Sequence, residues 1–234
     1  MASSIRPHTF TARDLVGGHL AVDLVNTVTA RNAEPVDWLD GYPRLLEWAA
    51  LTGHFSPADL TALRELADAE PGPAEAALDR IRELREALHE LLTALIGQEG
   101  PAAAGAAAAT GGVTQVERDW KDAVAQARLT LNGTTPRLHV EVRTSGLDFL
   151  RHELALQAFD LLRALPLERA RVCPGPRCGW LFLDSSRGGR RRWCSMATCG
   201  NSAKGRTHYE RNRAGTGSSA DSPTERGSGA RRRC

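Results

Sequence analysis

The stretch Arg171-Val-Cys-Pro-Gly-Pro-Arg-Cys-Gly-Trp-Leu-Phe-Leu-Asp184, continued by Arg190-Arg-Arg-Trp-Cys-Ser-Met-Ala-Thr-Cys-Gly-Asn201, holds four of the chain's five cysteines. They are Cys173, Cys178, Cys194 and Cys199, spaced Cys-x4-Cys-x15-Cys-x4-Cys. Two short loops each present a pair of thiolates, and four thiolates suit one closed, tetrahedral Zn²⁺ site of the structural kind. No fifth ligand or cluster spacing favours a redox metal. Between the pairs, Trp180 to Leu183 and Arg190 to Trp193 read as two strands of a hairpin, turned by the polar residues 184–189. Cys199 then opens a polar helix from about Asn201 to Arg213. The expected object is a treble-clef-like finger, too small to fold without its metal. The fifth cysteine, Cys234, reads as an incidental thiol at a disordered end.

Charge divides the chain at the same place. Residues 1–168 carry 15 basic and 24 acidic side chains, a net of −9, whereas residues 169–234 carry 15 and 4, a net of +11. An acidic front and a basic rear suggest two tasks, the second with an anionic partner, of which nucleic acid is the commonest. The candidate contacts are Arg190, Arg191, Arg192, Lys204, Arg206, Arg211 and Arg213, because the guanidinium fork matches phosphates and guanine edges.

Working towards the N-terminus, apolar periodicity predicts a helical domain with one small β-hairpin, a mostly α (α+β) class. Leu20, Leu24 and Val28 mark a first helix. A second starts at Pro43 and stops at Gly53. Ser56-Pro57-Ala58-Asp59 is an N-terminal cap signal for a third, to about Ala69. Pro71-Gly72-Pro73 reads as a break before the longest helix, about Ala74 to Ile96. Residues 98–112, rich in Gly, Ala and Pro, read as a flexible loop that could form a transient helix. Ala127 to Leu131 and Leu138 to Val142 alternate around Asn132-Gly133 and read as the hairpin. A last helix, about Leu147 to Leu165, should turn Leu150, Leu154, Phe159, Leu161 and Leu162 mostly inward. The divisions expected are a flexible start (1–13), a domain at 14–167 able to fold alone, the finger at 168–213 and a disordered basic tail at 214–234.

The cysteine-rich segment resembles the CGNR zinc finger. The likeness lies in the paired Cys-x4-Cys, Gly-Trp-x-Phe-x-Asp after the second cysteine, Arg-Arg-Trp-Cys-Ser-Met around the third, and Cys-Gly-Asn at the fourth. The front resembles the ABATE domain, a region linked to stress-induced transcription regulation, through Gly17-Gly18, Leu20-Ala21-Val22-Asp23 and Val25-Asn26-Thr27-Val28. The resemblance implies a DNA-binding transcription regulator whose front domain senses a ligand or partner. One departure stands out: the tetrapeptide that names the finger ends in Arg, and here Ser202 follows Asn201.

Two further readings stand beside this one. The chain could be a protein-interaction adaptor with a purely structural zinc. Asp23, Asn26 and Thr27 could line a small-molecule pocket, or could serve packing, since buried polar groups are usually satisfied within the fold. No Walker loop, dinucleotide-binding glycine pattern or nucleophile elbow is present, so no enzymatic activity is expected. No segment approaches the roughly 18 apolar residues of a membrane helix, and the first ten residues lack a secretory apolar core. A cytoplasmic location follows as an expectation.

Overall fold

The computed structural model describes residues 3–97, 102–206 and 209. Arg211, Arg213, Cys234 and the expected tail at 214–234 lie outside the described residues. Residues 1–195 and 196–234 form two compact units.

The first unit is helical, with small sheets. Ser4–Ile5 (β1) pairs in parallel with Val36–Asp37 (β3), which pairs antiparallel with Val28–Thr29 (β2). The start of the chain is therefore ordered, and His8 stacks on Trp38 with ring centroids 3.7 Å apart. Helix α1 spans Leu20–Val25 and ends sooner than its apolar row suggests, because Val28 and Thr29 enter the sheet. Helix α2 spans Tyr42–Thr52 and stops at Gly53, whose left-handed φ of 66° suits a residue without Cβ. Helix α3, Pro57–Ala69, has the expected cap: the Ser56 hydroxyl accepts from the Asp59 N–H at 3.1 Å.

Helix α4 runs Pro71–Ile96 and is central. The predicted break at Pro71-Gly72-Pro73 shrinks to one residue, Glu70. Proline is tolerated in a first turn, where N–H groups have no partner within the helix. Leu78, Ile81, Leu84 and Leu88 are fully buried along α4, against Leu24 of α1, Leu45 of α2 and Leu63 of α3.

The predicted loop after α4 is instead largely helical: α5 spans Ala102–Gln126. Alanine is the best helix former, and the Gly/Ala composition concealed that. Gly112 has a packing reason, since a Cβ there would stand 2.7 Å from the Ala87 carbonyl oxygen of α4. The hairpin is real but shifted. Arg128–Asn132 (β4) pairs with Thr135–His139 (β5) around Gly133, at φ 62°. The two-residue turn brings the second strand forward, so Val142 starts a short helix α6, Val142–Ser145. A 3-10 turn at Gly146–Asp148 leads into α7, Phe149–Ala164. Leu150, Leu154 and Leu161 face the core as expected. Phe159 does not: it is 39% exposed and stacks on Trp120 of α5 at 4.7 Å.

Two buried ion clusters lie among these apolar layers. Arg85 of α4 grips Asp37 of β3 with bonds of 2.8 and 2.6 Å. Arg151 of α7 pairs with Asp119 of α5 and with Asp148.

Candidate metal centre

Strand β6, Ala170–Val172, runs into Cys173, and β7, Leu181–Leu183, follows Cys178. The two strands pair antiparallel, Arg171 opposite Phe182, so the first cysteine pair sits in the connecting loop. The Cys173 N–H donates to the Trp180 carbonyl at 2.8 Å and the Cys178 N–H to the Gly175 carbonyl at 3.1 Å, which folds that loop into a knuckle.

The predicted hairpin between 180–183 and 190–193 does not form. One edge of β7 faces β6, and the front of the chain takes the other. The Asn26 amide donates to the Leu181 carbonyl at 2.8 Å while its oxygen accepts the Leu181 N–H at 2.9 Å. The Leu183 N–H donates to the Gly17 carbonyl at 2.8 Å. Residues 184–193 instead loop around Asp184, whose carboxylate accepts the N–H groups of Ser186 and Arg191 at 2.9 and 2.8 Å. The Ser186 side chain first, and then these N–H groups, hold that carboxyl below the usual range. The loop delivers Cys194, whose N–H reaches the Cys173 Sγ at 3.5 Å.

Further bonds tie the knuckle to residues 28–32. The Asn32 amide donates to the Gly175 carbonyl and its oxygen accepts the Cys178 N–H. The Arg31 N–H donates to the Cys178 carbonyl at 3.0 Å, and the Trp180 indole N–H to the Val28 carbonyl at 3.2 Å. Gly179 is required here: its φ is 73°, and a Cβ would lie 3.2 Å from the Asn32 nitrogen. Sequence reasoning missed Asn32 altogether, since an asparagine in a loop carries no periodic signal.

The ligand atoms of Cys173, Cys178, Cys194 and Cys199 all lie within 4.8 Å of one another. Cys199 belongs to a π-helical turn, Met196–Gly200, followed by helical residues 201–206. A zinc ion bound to four sulfurs at about 2.3 Å sets the sulfurs roughly 3.8 Å apart, which this cluster accommodates with small adjustment. The protons show why a cation fits. Hydrogen bonds from Cys178 and Cys194 favour a thiolate at Cys173. Donating to Cys173 pushes the Cys178 thiol up to about 12, and Cys194 is likewise raised. Four sulfurs this close cannot all ionise unaided, and one dication resolves the conflict. The cluster thus suits a single structural Zn²⁺, held by the residues that the spacing pointed to.

The other candidate residues fall into different places. Arg190 and Arg192 are exposed in the loop, and Lys204 and Arg206 are exposed on the helical residues of the second unit. Arg191 is not available as a contact. Its guanidinium lies 4.5 Å above the Phe182 ring and donates to the carbonyls of Val16, Trp193 and Cys194. Arg177 and Arg187, not singled out from sequence, are exposed in the same segment. Asn26 and Thr27 are buried with internal partners: Thr27 donates to the Leu24 carbonyl and accepts from Arg85. Asp23 accepts the Gly17 N–H at 2.8 Å, and burial pushes its carboxyl up to about 6. All three have hydrogen-bond partners within the fold.

Replacing Asn26 by Leu is expected to lower the stability of the full chain by about 2–4 kcal/mol, because two buried backbone groups of Leu181 are left without partners. Urea denaturation measures it, and a decrease below about 0.5 kcal/mol would refute the role given to the clamp.

Two family comparisons agree with this architecture. Residues 169–212 match the CGNR zinc finger, and residues 18–165 match ABATE, described as "Putative stress-induced transcription regulator". No curated protein matches the chain. With that match spanning more than half of its length and the thiol cluster following directly, the chain belongs to the ABATE family and carries a CGNR zinc finger behind the ABATE domain.

Proposed function

We propose that this chain is a DNA-binding transcription regulator in which the ABATE domain responds to an effector and the zinc-held segment contacts DNA. It acts without catalysis, in the cytoplasm. Among the described residues, no helix is long and apolar enough to cross a membrane.

One observation carries the reading. Arginines of the helical domain are widely paired with carboxylates, as are Arg31, Arg80, Arg85 and Arg151. Arg177, Arg187, Arg190 and Arg192 are exposed, and among the described residues none forms a salt bridge. Unneutralised guanidinium groups on a metal-held scaffold suit a polyanion, whose phosphates would release counterions on binding. Lys204 and Arg206 add exposed charge to the segment that follows the fourth cysteine.

The test is a titration of labelled duplex pools with zinc-loaded full-length protein at low and moderate salt. Replacing Arg187, Arg190 and Arg192 together by Ala, with Arg191 kept for the fold, should weaken binding at least about tenfold. The log–log salt slope should become shallower by about 0.9 for each phosphate that is no longer neutralised. Zinc content should not change. Ser202→Arg, which restores the residue the finger pattern expects, should tighten binding. Unaltered affinity in the triple variant, or no binding at low salt, would favour the adaptor reading.

A further inference from the structure

A cleft of about 590 Å³ lies inside the first unit, where the β4–β5 hairpin faces α3, α5 and α7. Its size is in the range of small-molecule sites. Aromatic rings line it in two pairs. Phe55 meets Phe149 edge-on at 6.2 Å, and Trp120 stacks on Phe159 at 4.7 Å. Phe159 was expected in the core, and its half-exposed position is explained if it serves as a wall of this cleft.

Asp59, Glu153 and Asp160 line the cleft with Arg137 and two histidines, His54 and His139, and Arg163 stands 3.8 Å from Asp160. Asp160 sits on the rim and Asp59 accepts from the Ser56 hydroxyl. Glu153 differs. Its side chain is 15% exposed, and it accepts from the His54 ring and the Gln157 amide, both at Oε1. Among the described residues, no donor reaches Oε2. That oxygen is open to accept a charge-assisted bond from a ligand. Aromatic faces beside it attract positive charge through their quadrupoles.

We propose that the cleft binds a small organic cation, a protonated amine on an apolar or aromatic body, with Glu153 Oε2 accepting from its N–H group. The rings would receive the body, and Asp160 would add attraction at the mouth. This gives a chemical class to the effector and depends on the regulatory reading above only for its biological meaning.

The test uses zinc-loaded full-length protein without DNA, so a failure here leaves the DNA reading untouched. Phenethylammonium, benzyltrimethylammonium and phenylpropionate are titrated by calorimetry and tryptophan fluorescence. Phenethylammonium should saturate with a Kd below about 1 mM and bind at least about tenfold more tightly than phenylpropionate, the charge-reversed analogue. Glu153→Gln, which keeps the shape, should weaken it about tenfold or more. Asp160→Asn, on the exposed rim, should weaken it by less than about threefold. Equal binding of cation and anion by the unmodified protein, full affinity in Glu153→Gln, no saturation by phenethylammonium at about 10 mM, or tighter binding of benzyltrimethylammonium, which has no N–H to donate, would overturn the proposal. The cation–anion comparison needs no variant, so it stands even if Glu153→Gln misfolds.

Discussion

Cys178→Ser in the full-length chain should take bound zinc from about one ion per chain to near zero, and should unfold more than the finger. Structural zinc sites contribute on the order of 10 kcal/mol at neutral pH, comparable to the whole stability of an ordinary domain. Here the damage does not stay local. Cys178 donates its backbone N–H to Asn32 and accepts from Arg31, so loosening the knuckle frees the chain along residues 26–32. Elemental analysis should report the missing metal. Thermal denaturation should show the melting temperature of the helical domain falling by about 10 °C or more. Retained zinc, or an unchanged melt in zinc-free protein, would show that the thiols are not its ligands or that the knuckle is not tied to the helices.

The second large effect concerns Arg85. Its side chain and that of Asp37 are 2% and 3% exposed and exchange a bidentate pair of bonds. Asp37 also accepts the Leu39 N–H at 2.9 Å, and Thr27 shares the Arg85 guanidinium. Arg85→Ala strips a buried carboxylate of its bidentate partner, leaving Arg82 at 3.8 Å as its remaining counter-charge, and should cost about 3 kcal/mol. Exchanging both residues, Asp37→Leu with Arg85→Met, should recover much of that stability, because an apolar pair has no charge to desolvate. Chemical denaturation of the two variants decides the point. If the double exchange is no better than the single one, the ion pair is itself a net source of stability.

The parts of this molecule that repeat along the chain were legible in the sequence. The leucine rows of α4 and α7, the Ser56 cap and the four cysteines each form a pattern within a short window. What was hidden depends on partners far away. Nothing near Trp193 indicates that the second edge of β7 is occupied by Gly17 and Asn26, so residues 190–193 read as a strand. Asn26 stood out as a polar residue in an apolar run, and its partner, Leu181, is 155 positions away. Residues 102–112 were hidden for another reason. Glycine content outweighed alanine propensity in the reading, whereas the close approach of Gly112 to α4 favours a helix there. Arg191 looked like its neighbours until its guanidinium was found on Phe182.

The capture of β7 by the front of the chain has a consequence for synthesis. Residues 17–32 leave the ribosome first, but the strand that satisfies them is made some 150 residues later. Until then Asn26 bonds to water and the apolar α1 beside it stays uncovered. Such late, long-range closure slows folding and lengthens exposure to chaperones. A chain ending before residue 184 therefore lacks the strand that closes the front, and its helices should melt at a lower temperature than those of the longer chain.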